Sequence, residues 1–152
     1  MTALSDLRRE CFVALKPAPR LDLADWIEAN VRLPSAVSAQ AGAVRLTPVQ
    51  RGIAQAIGDA AIERVTVVKP VRLGYTSLLT AAVAYHCQQE PAPILAVLPT
   101  ESDCRGWIVD DVEPIFEASP DLRGLLSGAT DPTGRSTLLS RKFPGGSLKV
   151  IA

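Results

Sequence analysis

Apolar positions recur at helical spacing through the first third of the chain. "LSDLRRECFVALKP" places Leu4, Leu7, Cys11, Val13, Ala14 and Leu15 on one stripe, stopped by Pro17 and Pro19. "LDLADWIEANVRLP" predicts a second helix, with Asp22 as its cap, Leu23, Trp26, Ile27 and Val31 on one face, and Pro34 closing it. "SAVSAQAGA" has no periodicity and reads as a surface loop or linker. "LTPVQRGIAQAIGD" predicts a third helix, with Thr47 as N-cap and Pro48 as the first helical residue. Its inward face would carry Ile53, Ala56 and Ile57, and Gly58 would help end it.

The period then changes. "ERVTVVKP" is a β-branched run and predicts a buried strand. "YTSLLTAAVAYHCQQ" returns to helical spacing, and "PAPILAVLPT" is a second all-apolar strand. Two apolar strands separated by a helix predict a parallel sheet covered on both faces. "TESDCRGWIVDDVEPIFEAS" predicts a helix capped by Thr100 and broken near Pro114, and "PDLRGLL" a short helical turn. "TDPTGRS" is a turn, and "TLLSRKFPGGSLKVIA" reads as two strands joined across Pro144-Gly145-Gly146. The chain ends inside that apolar strand, an odd place for a domain to stop.

Composition narrows the picture. The length of 152 residues suits one modest domain, and a formal net charge of zero gives no bulk argument for nucleic acid or membrane. Three scattered cysteines and one histidine, His86, make a zinc site improbable; the odd cysteine count and the lack of a signal peptide suggest a reducing, intracellular setting. The longest uncharged stretch, Leu73 to Gln89, is shorter than the roughly 20 apolar residues a membrane span needs. A soluble protein with no membrane partner is expected.

The candidate chemistry lies where the first strand meets the central helix. Free N–H groups and the helix dipole at such a turn bind anions. In "KPVRLGYTSLL" Gly74 takes the second glycine slot of a phosphate loop and Thr76 the hydroxyl slot, while Tyr75 stands where lysine is usual. Lys69 stands at the front and Arg72 lies within the loop. On spacing alone, a phosphate loop and a plain strand-turn-helix connection are both open.

The flanking blocks carry a resemblance. "KPVRLGYTSLL" resembles the Walker A variant of phage large terminase subunits of the GpA (lambda-like) type, whose lysine stands at the front of the motif. Lys69, Arg72, Gly74, Tyr75 and Thr76 all match that pattern. "LTPVQRGIAQAI", "ILAVLPTESDCRGWIVDDVEPIFEASPDLRGLL", "KFPGGSLKVIA" and "LADWIEANVRLPS" resemble further blocks of the same family, in the same order.

The resemblance implies an α/β fold: a partial P-loop (ASCE-type) NTPase domain with a parallel sheet over 46–152, preceded by a helical segment and linker over 1–45. It implies ATP and Mg²⁺ as ligands. Lys69 would pair with the outer phosphates, and Arg72 would stabilise them or hold the loop. The Leu73, Gly74, Tyr75 and Thr76 stretch would cradle them, with Thr76 adding the Mg²⁺ contact. Gln50 would read the adenine edge, with Val49 packing on the base where the family commonly has an aromatic. In the complete protein this domain would power DNA translocation into a capsid in the host cytoplasm. Its partners would be the small terminase subunit, the portal and procapsid, and double-stranded DNA, in an oligomeric motor.

A Walker B strand ending in Asp-Glu and the nuclease carboxylates are not found in this sequence, so the catalytic residues of turnover are unknown. The one acidic pair after an apolar run, Asp110-Asp111, reads as a solvated helix face. An alternative is therefore a truncated, catalytically incompetent prophage remnant that binds at most a nucleotide or a partner. Trp26 and Trp107 read as core anchors, His86 as structural, and the Arg135, Arg141, Lys142 and Lys149 group as a solvated strand face. Ser102 and Ser136 have no base at a recognisable spacing.

Overall fold

The computed structural model describes residues 11–12, 20–128 and 137–152. The first predicted helix, apart from Cys11 and Phe12, and all of the "TDPTGRS" turn lie outside the described residues.

Helix α1 spans Leu23–Asn30, and the Asp22 carboxylate caps it by accepting from the Asp25 N–H at 2.7 Å. Leu23, Trp26 and Ile27 are fully buried, each contributing about 1.5–3 kcal/mol of apolar burial. The chain leaves α1 through strand β1, Arg32–Leu33, which pairs antiparallel with β2, Gly42–Ala43. The small-residue stretch expected to be a plain loop thus closes as a two-stranded arm. The chain turns after β1 with the Val37 and Ser38 N–H groups donating to the Pro34 carbonyl, and it enters β2 through Gly42 at φ 122°, a conformation side chains rarely allow.

Helix α2, Pro48–Gly58, begins with a full capping box: Thr47 Oγ1 accepts from the Gln50 N–H, and Gln50 Oε1 accepts from the Thr47 N–H. Its buried residue is Ala54, with Ile53 and Ile57 half-buried against the core. The end of α2 lies against the start of α1, so that a Cβ on Gly58 would come within 2.9 Å of Leu23 Cβ. Arg51 fixes the same pairing from the outside, reaching Asp25 and Glu28 at 2.7 Å each, while Glu28 also accepts from the Leu46 N–H at 2.9 Å.

Helix α3, Tyr75–Gln88, is the central element. It packs on α1 and α2 and buries Leu78, Ala81, Ala82, Ala84 and Tyr85. Strand β3, Ile94–Val97, follows, then α4, Glu101–Gly106, capped by Thr100. Residues Trp107–Val112 form a widened π turn that runs into α5, Glu113–Ala118. The expected break near Pro114 is therefore this earlier wide turn. A proline within a helix cannot donate and crowds the carbonyl four residues back, here Asp110, and a π turn absorbs both effects. The "PDLRGLL" segment forms consecutive hydrogen-bonded turns, with the Leu122 and Arg123 N–H groups both donating to the Ser119 carbonyl.

Strands β4, Ser140–Phe143, and β5, Gly146–Ile151, form the expected hairpin. The sheet order is β3-β5-β4, with β3 parallel and β4 antiparallel to β5. It is a mixed sheet: it contains the parallel pairing expected, made between β3 and β5, and the hairpin adds an antiparallel strand. One face of β3 is also uncovered, with Leu95 59% and Val97 67% exposed. The largest departure is the "ERVTVVKP" run. It forms no strand, and Val68 is 98% exposed. A β-branched run becomes a strand only beside another backbone, and none of the described strands flanks this one.

Candidate functional site

The site is built at the N-terminus of α3. The chain enters through Lys69 and Pro70, both exposed, and reverses with Arg72 at φ 63° and Gly74 at φ 70°. A left-handed arginine is uncommon and marks a loop whose surroundings fix its shape. Gly74 is the N-cap residue of α3, and no side chain caps the helix. No acidic residue stands in its first turn. The helix thus presents its first N–H groups and the positive end of its dipole to whatever occupies the loop.

Two cations stand beside this end. Lys69 Nζ lies 5.9 Å from the centroid of the Tyr75 ring, a cation–π approach that carries the lysine back toward the helix mouth. Arg72 is exposed, and neither residue is in the ion pairs formed among the described residues. Thr76 is exposed on the first turn, with its hydroxyl available. Its carbonyl accepts from Thr80 Oγ1 at 3.0 Å, and Thr80 in turn accepts from the buried Trp107 Nε1 at 2.9 Å. That chain of bonds holds the second turn of α3 against the π turn.

Gln50 reaches the loop from α2. Its Nε2 donates to the Leu73 carbonyl at 2.8 Å, and a Cβ on Gly74 would stand 2.9 Å from the same nitrogen. Glycine at 74 is favoured by its left-handed backbone, and a side chain there would also have to displace the Gln50 amide.

Beside Gln50 and Gly74 opens a cavity of about 450 Å³ beneath the β1-β2 arm. Ile27, Val37, Val44, Leu46 and Leu78 supply apolar walls, and Arg45 and Ser77 add polar groups. Of the residues the sequence singled out, Gln50, Leu73 and Gly74 meet in one place. Val49 does not join them: it is 60% exposed and outside the cavity wall. Arg45, Leu46 and Ser77 were not foreseen. Arg45 and Leu46 reach the cavity only because β1 and β2 pair, which no local pattern announces.

The acidic pair Asp110-Asp111 lies in the π turn. Burial, and then the neighbouring Asp110 charge, raise the Asp111 carboxyl above its ordinary value. No group of three His, Cys, Asp or Glu among the described residues is placed to hold a metal ion.

A family model for the phage terminase large subunit gpA, ATPase domain, matches residues 38–152. The chain belongs to this family. It is 31% identical over 131 residues to the terminase large subunit of Escherichia phage lambda, a match covering 86% of this chain and 20% of that protein. It is 28% identical over 130 residues to the terminase large subunit of Enterobacteria phage P21, again covering 86% of this chain and 20% of the relative. The chain thus spans about a fifth of the length of these terminase subunits. No solved structure matches it. The mixed α/β architecture, with parallel pairing of β3 and β5, is compatible with a terminase ATPase domain. Among the described residues, no helix is long and apolar enough to cross a membrane.

Proposed function

We propose that the turn from Lys69 to Thr76 is a phosphate loop of the Walker A type, binding ATP with Mg²⁺ as part of a phage DNA-packaging ATPase. The observation that carries this reading is the uncapped N-terminus of α3, entered through left-handed Gly74 and flanked by Lys69 and Arg72. Those groups suit a polyphosphate: backbone N–H donors at the helix end, two cations outside the ion-pair network of the described residues, and a left-handed glycine at the turn. Lys69 and Arg72 would offset the charge of the outer phosphates, the Leu73–Thr76 backbone would hold them, and the Thr76 hydroxyl would complete the Mg²⁺ shell. Bound ATP–Mg²⁺ would supply the phosphoanhydride whose cleavage drives a packaging motor. The base would lie on the Gln50 side, where the 450 Å³ cavity offers apolar walls.

The kinship to terminase large subunits supports the proposal that this domain works within a larger assembly. A small terminase subunit, the portal of the procapsid and double-stranded DNA are the proposed partners, in an oligomeric motor within the host cytoplasm. The helical segment over 1–45 is proposed to lead into the nucleotide-binding part over 46–152.

The test reads binding, which this chain's own residues would carry. Calorimetric titration with ATP–Mg²⁺ is expected to show saturable binding that Lys69→Ala weakens at least about tenfold, the effect of losing one charge-assisted contact of about 1.5–3 kcal/mol. An unchanged Kd in Lys69→Ala would overturn the phosphate-loop reading.

A further inference from the structure

Gln50 stands at the border between the loop and the cavity, and its side chain is already committed. Its orientation is fixed by its neighbours, since one end faces an N–H and the other a carbonyl. Oε1 accepts from the Thr47 N–H at 2.9 Å and lies 3.1 Å from the Thr47 hydroxyl, which can donate to it. An amide oxygen has two lone pairs, so both are taken. Nε2 spends one of its two N–H groups on the Leu73 carbonyl at 2.8 Å. One N–H is left for a ligand in the cavity.

We infer that Gln50 is a positioning residue of the phosphate loop, latching the Leu73–Gly74 turn to the capped start of α2, and not a reader of the adenine amino group. Reading adenine's exocyclic amine needs an acceptor, and this amide has none left. Its remaining N–H can meet only an acceptor, which adenine and guanine both offer on their ring edges. The latch acts on the loop backbone. In a trans peptide the Leu73 carbonyl turned toward α2 holds the Gly74 N–H turned away from it. The anchor behind the latch is itself tied to α1, because Arg51, the next residue, pairs with Asp25 and Glu28. Glu28 also holds the Leu46 N–H, just before the cap.

This inference rests on the phosphate-loop reading, and the experiment separates the two. Binding of ATP, GTP and inorganic tripolyphosphate, each with Mg²⁺, is measured for the wild type and for Lys69→Ala, Gln50→Ala and Thr47→Ala, with thermal unfolding of each. A latch predicts that Gln50→Ala weakens all three ligands by a similar factor, about tenfold, because tripolyphosphate has no base but uses the same loop. Thr47→Ala removes a cap hydroxyl and leaves the Leu73 bond, so it is expected to lower stability and keep tripolyphosphate affinity. If Gln50→Ala weakens ATP alone and leaves tripolyphosphate unchanged, Gln50 is a base reader and the latch is overturned. If Thr47→Ala weakens tripolyphosphate as much as Gln50→Ala does, the effect is loss of the helix start, and the latch is again overturned. Wild type that binds none of the three, or binds them no better than Lys69→Ala, overturns the phosphate loop itself and the latch with it.

Discussion

Thr80 shows how much one hydroxyl can hold together. It donates back to the Thr76 carbonyl one turn earlier and accepts the indole N–H of Trp107, at full burial. Thr80→Val keeps the shape but strands that N–H in the core. The expected loss is about 1–3 kcal/mol, read by urea denaturation, and Thr80→Ser should recover most of it. A Thr80→Val protein as stable as wild type would mean that the indole finds another partner. The sequence marks Thr80 only as a polar residue in an apolar helix. Its partner lies 27 residues away, and no local spacing points to it. The same holds for Gln50. Its place on the first turn of a capped helix was legible from "LTPVQ", but its bond to Leu73 depends on how α2 packs beside the loop.

At the scale of elements, legibility followed the caps. Asp22, Thr47 and Thr100 each declare a helix start by local chemistry, and each was found capping its helix. The hairpin around Gly145, at φ 85°, was equally local. Strand "ERVTVVKP" failed for the opposite reason, since a strand is a property of neighbours and not of its own residues. The β1-β2 arm was missed because Arg32–Leu33 and Gly42–Ala43 are too short to show a period. The contact of α1 with α2 gives a direct test of packing against propensity. Alanine is the better helix former by about 1 kcal/mol, yet at Gly58 its Cβ would meet Leu23 Cβ at 2.9 Å. Overpacking of this kind costs about 1–3 kcal/mol, so Gly58→Ala should lower the melting temperature. A raised melting temperature would show that α1 can step back at little cost.

At the scale of the whole molecule, the described apolar residues divide between one core and an exposed set. Trp26, Ile27, Ile108, Ile115 and Leu148 are buried in one core, while Val68, Val71, Leu95 and Val97 are open. Strand β3 has β5 on one edge and no strand on the other among the described residues. Such an edge with exposed apolar side chains favours pairing with another chain. Val97→Lys, a charge placed on that face, is expected to reduce self-association at high concentration in sedimentation velocity, with the circular dichroism spectrum unchanged. Equal association of both proteins would show that this surface is not adhesive. Helix α3 has a further consequence. Its 14 residues make a rod of roughly 21 Å. Gln50 grips the loop at one end, and at the other Gln88 takes the Trp26 indole N–H at 2.9 Å and gives to the Asp121 carbonyl at 3.1 Å. Mechanically α3 is a strut pinned at both ends by a glutamine. A displacement of α3 along its axis at the loop would have to strain the bonds to Trp26 and Asp121 at its other end.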